Sequence, residues 1–191
     1  IGHSQGGLLT RLTVVDSGNK FWENISTKPF NELQASPETR EMLRKSLFYK
    51  PISSVKRVIF MATPHGGSYV AAGWIGRIVG NFISLPLRLA GTLKDVITLN
   101  PQFAARYSMK NIPRSTDNMD PQSPFIRALS SLTVAPGVAV HSIIAVKNPD
   151  DPKDKWTDGV VKYNSAHIEP VQSELVINSG HSLQDHPEAI E

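Results

Sequence analysis

The stretch "IGHSQGGLLTRL" (1–12) decides how the rest of this chain is read. Gly2, Ser4 and Gly6 fit the pattern G-x-S-x-G, and apolar residues at helical spacing follow at once. That order predicts a strand, a sharp turn carrying the serine, and a helix. A turn so tight needs strained dihedrals at Ser4 and leaves no room for side chains beside it, so glycine is expected on both sides, at Gly2 and Gly6. The turn lifts the Ser4 hydroxyl clear of the sheet. It leaves the Gln5 backbone N–H, and the positive end of the helix behind it, facing any anion that forms next to the serine.

Working outward, "GGLLTRLTVV" (6–15) places Leu8, Leu9, Leu12 and Val15 on one helical stripe. Residues 17–37 are polar and turn-rich and read as an irregular excursion. "SPETREMLRKSLF" (36–48) reads as a short capped helix, with Ser36 at its start. "VKRVIFMAT" (55–63), "VAVHSIIAV" (138–146) and "SELVIN" (173–178) are β-branched apolar runs bounded by turn signals, and are expected as strands. Helices are expected at 100–108, at 123–132 and from 186 onward. Residues 111–122 read as a polar loop and 147–159 as an acidic one. Strands alternating with helices predict an α/β fold with a parallel sheet and helices on both of its faces.

A serine hydroxyl is a poor nucleophile until a base takes its proton, and the base needs a third group to hold its tautomer. In the fold known to carry a serine on such an elbow, the partners follow it in the order acid, then histidine. His181 lies in "NSGHSLQDHP" after the run 173–178, where an open α/β sheet gathers its functional groups. His186 precedes Pro187 and reads as a surface residue at a helix start, and His167 precedes the final strand. Among carboxylates, Asp158 of "WTDGVV" stands before a glycine that lets the chain turn sharply. Asp150, Asp151 and Asp154 are flanked by prolines and lysines and read as a solvated turn. His65 of "TPHGGS" (63–68) comes before the acid, the wrong order for a base, and reads as structural.

Four segments, "GHSQGG", "MATPHGGS" (61–68), "TDGVVKYNSAH" (157–167) and "SGHSLQDHPEAI" (179–190), give the chain a resemblance to serine esterases and lipases of the α/β-hydrolase fold. It is similar to bacterial triacylglycerol lipases and to the group of the glycosylphosphatidylinositol inositol-deacylases. Residues 17–54 and 69–135 carry no such likeness. The resemblance implies a partial α/β-hydrolase fold, a single domain over 1–191, and a triad of Ser4, Asp158 and His181. It implies a carboxylic ester substrate, lipid or acyl, with the Gln5 N–H as one oxyanion donor. Ile1 is no ordinary initiator, and in this family the first strands and the second oxyanion donor precede the elbow. The expectation is therefore an internal piece of a longer protein, with little ester turnover by itself.

Residues 69–135 stand where such lipases carry a helical lid. Trp74, Ile75, Ile78, Val79, Phe82 and Ile83 form one apolar helical face there, and a lid implies transient contact with a lipid surface. A fixed core helix is the alternative. Composition narrows the rest. Over 191 residues, 40% are hydrophobic and 19% charged, which fits a globular domain with its own core. A net charge of +3 without a basic stripe gives no reason to expect nucleic acid. With no cysteine there is neither disulfide nor thiolate chemistry. No phosphate loop, dinucleotide fingerprint or histidine cluster is present, so no cofactor and no metal are expected, and the acidic loop 150–154 is not expected to hold calcium. Two other readings stay open: a non-catalytic interaction domain on the same fold, and an acyltransferase or amidase using the same three residues.

Overall fold

The computed structural model describes residues 1–24, 26–70, 96, 98–100 and 119–190. Four strands, β1 (Gly2–His3), β2 (Arg57–Met61), β3 (Ala139–Val146) and β4 (Ser173–Asn178), lie side by side in chain order. Every pairing is parallel, with Gly2 opposite Phe60, Phe60 opposite Ser142, and Ile144 opposite Val176. With helices between the strands, this is an α/β arrangement. Because all strands run the same way, the turns after β1, β2, β3 and β4 emerge on one edge of the sheet.

Strand alternation sorts the apolar side chains onto two faces. On one face Val58, Phe60 and Val140 pack with Val14 and Ile168, while Ile144 and Val146 pack with Val161, Tyr163 and Ala166. On the other, Met61, Ala145 and Ile177 pack with Leu183, and Ala189 of the short helix α6 (Pro187–Ile190) closes over them. A further cluster joins α1 (Gln5–Leu12) to α4 (Pro124–Ser130) through Leu8, Leu12, Ile126, Ala128 and Leu129. Leu8, Ile126 and Leu129 are fully buried, and each such side chain stabilises the fold by about 1.5–3 kcal/mol.

Helix starts follow the side-chain chemistry. Ser36 Oγ accepts from the Thr39 N–H at the head of α3 (Pro37–Leu47), and Ser123 Oγ accepts from Phe125 N–H at the head of α4. In both, proline fills an early position where no N–H is needed.

Several elements differ from the sequence expectations. The first helix stops at Leu12 rather than reaching Val15. Val14 instead accepts from Ala135 N–H and Val15 forms an antiparallel bridge with Val134, so long-range pairing overrides the helical spacing. Leu9, expected on the buried stripe, is 62% exposed. The excursion 17–37 contains a short helix, α2 (Lys20–Glu23), which buries Phe21 and Trp22, and "TDGVVKYNSAH" contains another, α5 (Tyr163–Ala166). The apolar helical face expected at 74–83, the helix expected over 100–108 apart from Asn100, and most of the loop 111–122 lie outside the described residues. No described helix is long and apolar enough to cross a membrane.

Candidate active site

Ser4 stands on the turn between β1 and α1 with φ 54° and ψ −128°. A residue with a Cβ is strained there, and the surroundings hold it in place. Its N–H donates to the Met61 carbonyl (2.8 Å), and its own carbonyl accepts from Gly7 N–H (3.0 Å). Gln5 is the first residue of α1, so its N–H has no acceptor within the helix.

The glycine requirement is real but sits one residue away from the expectation on the helix side. A Cβ on Gly2 would lie 2.4 Å from Thr10 Oγ1 and 2.6 Å from Gly7 Cα. A Cβ on Gly6 would meet nothing within 4 Å, whereas one on Gly7 would fall 1.8 Å from Thr63 Oγ1. Gly7 is where α1 comes up against Thr63, two residues beyond the end of β2. The close approach thus falls at Gly7 and not at Gly6, because motif spacing does not reveal which helix face meets the sheet.

The His181 imidazole reaches both of its expected neighbours. Its Nε2 is 2.8 Å from Ser4 Oγ, and its Nδ1 is 2.7 Å from Asp158 Oδ2. An ionised carboxylate only accepts, so the proton is assigned to Nδ1, which leaves Nε2 to accept from the Ser4 hydroxyl. Asp158 is 2% exposed, and its other oxygen, Oδ1, accepts from Val160 N–H (2.8 Å) and Val161 N–H (2.7 Å). Both oxygens of the buried carboxylate thus have hydrogen-bond partners. Gly159, at φ +93°, makes the turn that aims it. Beside Asp158 and His181 opens a cleft of about 460 Å³, bounded by Val70, Lys147, Val160 and Ser182. A wider cleft of about 560 Å³, between Trp22 and Phe48, includes none of these three residues.

The segment "TPHGGS" braces the acid loop. Gly66 N–H donates to Ser165 O, Ser165 Oγ to Gly67 O, and Ser68 Oγ to the carbonyl of Val160. Gly67 has φ +82°, and a Cβ there would lie 2.7 Å from Met119 O and from Pro121 N. These close contacts fix Val160, two residues beyond Asp158.

The remaining candidates point elsewhere. His65 is buried, and its Nδ1 accepts from Arg11 Nη1 at 3.2 Å. Burial and the Arg11 charge together push its pKa down to about 3, so it is neutral. Burial also lowers Arg11 to about 10, and Arg11 Nη2 donates to Leu132 O at 2.8 Å. His167 pairs with Glu174 (2.6 Å), whose other oxygen accepts from Tyr163 Oη. His186 heads α6, with its N–H donating to Leu183 O. Asp150, Asp151 and Asp154 are exposed. Among the described residues, no group of three or more His, Asp and Glu side chains is arranged to hold a metal ion.

One contact had no counterpart in the sequence reading: His3 Nε2 lies 2.8 Å from the His181 carbonyl oxygen. As the variable residue of G-x-S-x-G, His3 gave no signal by pattern. The chain matches no protein-family model and no curated protein.

Proposed function

We propose that this chain carries the acyl-transfer centre of a serine hydrolase that cleaves carboxylic esters. The observation that carries the reading is the Ser4–His181–Asp158 line: two hydrogen bonds, 2.8 and 2.7 Å, join residues 177 and 23 positions apart at a strained strand-to-helix turn. Hydroxyl, imidazole and carboxylate arranged in this way are the parts that nucleophilic acyl transfer needs.

In the proposed reaction Ser4 Oγ attacks the ester carbonyl carbon while its proton passes to His181 Nε2. The carbonyl oxygen becomes an oxyanion, for which Gln5 N–H at the head of α1 is one donor. Asp158 holds Nδ1–H and stabilises the imidazolium. Collapse of the tetrahedral intermediate breaks the bond to the leaving alcohol, which takes the proton from Nε2. Water then repeats the sequence on the acyl-enzyme, releasing the acid and restoring Ser4.

The α/β-hydrolase assignment rests on the motif resemblance together with the parallel sheet, and an acyl or lipid substrate on the resemblance alone. The lid reading rests on the apolar spacing at 74–83. Hydrolysis of nitrophenyl esters of graded chain length by the intact protein tests the activity. The expected result is turnover that Ser4→Ala lowers by about 10⁴-fold or more. Turnover that survives the substitution contradicts the reading. A jump in rate when a long-chain substrate passes from dissolved to emulsified form is expected if the insert acts as a lid.

A further inference from the structure

We propose that His3 is a positioning residue for the reaction: its imidazole ties down the loop that carries His181, so that the neighbour of the nucleophile also sets where the base stands. The inference rests on the hydrolase reading for its catalytic consequence.

Three observations lead to it. Strand alternation places His3, opposite Met61, on the sheet face where Leu183 is packed. His3 Nε2 lies 2.8 Å from the His181 carbonyl oxygen, and the two rings stand 5.1 Å apart at 45°. The loop between β4 and α6 has few backbone ties of its own. Ser179 N–H donates to Val146 O before the base, and His186 N–H to Leu183 O after it.

At His181 itself the carbonyl accepts from Leu183 N–H (3.2 Å) and from His3. A carbonyl oxygen has two lone pairs, and these two donors occupy both. Because the acceptor is a carbonyl, His3 must carry its proton on Nε2. Neutral or cationic, it remains a donor, so the tie does not depend on its charge. The His181 ring is held at Nδ1 by Asp158, and its backbone is held by His3. A single rigid turn thereby fixes the nucleophile and the base together. Displacements of about 1 Å at such a centre cost about 10²-fold in rate, so the tie bears directly on turnover.

The test compares His3→Phe, which keeps a ring and removes the donor, with His3→Gln, whose amide N–H sits at a similar reach. His3→Met serves as a second variant without a donor in case the phenyl ring is not accommodated. On a soluble nitrophenyl ester, the donor-less variant is expected to lose about 10- to 100-fold in kcat with KM within about threefold of wild type, and His3→Gln to recover most of the loss. The proton shared between His181 Nδ1 and Asp158 is read separately, as a downfield NMR resonance. It should broaden or move without the donor and return with glutamine.

A merely structural histidine would lower the melting temperature in all variants without this pattern. Wild-type kcat without the donor, or equal loss in the glutamine variant, overturns the proposal. An intact wild-type protein that turns over no ester counts against the hydrolase reading, and there the resonance alone still decides whether His3 positions His181.

Discussion

Asp158 faces His181 with only one of its two carboxylate oxygens, Oδ2 at 2.7 Å, while Oδ1 is committed to the N–H groups of Val160 and Val161. This division predicts the behaviour of Asp158→Asn. The amide oxygen is drawn to the two backbone donors, which turns the NH₂ toward His181 Nδ1. The imidazole then has to accept at Nδ1 and carry its proton on Nε2, where it cannot receive one from Ser4. A loss of about 10⁴-fold in kcat is expected, with the fold intact by circular dichroism. Near-wild-type kcat would mean that Asp158 is not the orienting acid.

The strain at Ser4 predicts a conflict between stability and activity. Glycine adopts φ 54°, ψ −128° without a clashing Cβ, so Ser4→Gly should raise unfolding stability by about 1 kcal/mol while abolishing turnover. Denaturant unfolding of wild type, Ser4→Gly and Ser4→Ala measures it. A Ser4→Gly variant less stable than Ser4→Ala, which loses the same hydrogen bond to His181, would show that the turn is not strained by its side chain.

The three glycines around the turn should separate cleanly. Gly6→Ala meets open space within α1 and should be neutral or stabilise by up to about 1 kcal/mol. Gly7→Ala drives a methyl group into Thr63, and Gly2→Ala drives one into Thr10 and the helix backbone. Each of these should cost about 2 kcal/mol or more. Thermal melts of the three variants decide, and equal effects would contradict the assignment of Gly7 as the contact residue.

His65 predicts how acid acts on the fold. Its pKa is about 3 when folded, against about 6.5 in an unfolded chain. Between those values the unfolded state binds more protons, so this group makes stability fall as pH drops from about 6.5 toward 3, by up to ~1.4 kcal/mol per pH unit, and adds no pH dependence above that window. Replacing His65 by glutamine, which cannot titrate, should flatten that part of the stability curve. An unchanged acid limb would place the sensitive group elsewhere.

Much of this arrangement was legible in the residues because each signal was local. The runs at 138–146 and 173–178 gave strands with nearly their observed ends, and Ser36 and Ser123 stand at helix starts. Ser4, Asp158 and His181 followed from a turn pattern, an Asp-Gly pair and the position of a loop after a strand. What stayed hidden depends on partners distant in sequence. Val14 and Val15 leave the helix for contacts with 134–135, Gly7 matters because Thr63 stands opposite, and Arg11 is buried against His65 and Leu132. His3 occupies a position the pattern leaves free, and only the folded loop at 181 gives it a role.

The central claim is that Ser4 is a nucleophile activated by His181. Reacting the intact protein with a fluorophosphonate and locating the adduct by peptide mass spectrometry tests it most directly. The account predicts a stoichiometric phosphonyl group on Ser4, formed far more slowly when His181 is alanine. An unmodified Ser4, or labelling at the same rate without the imidazole, would contradict it.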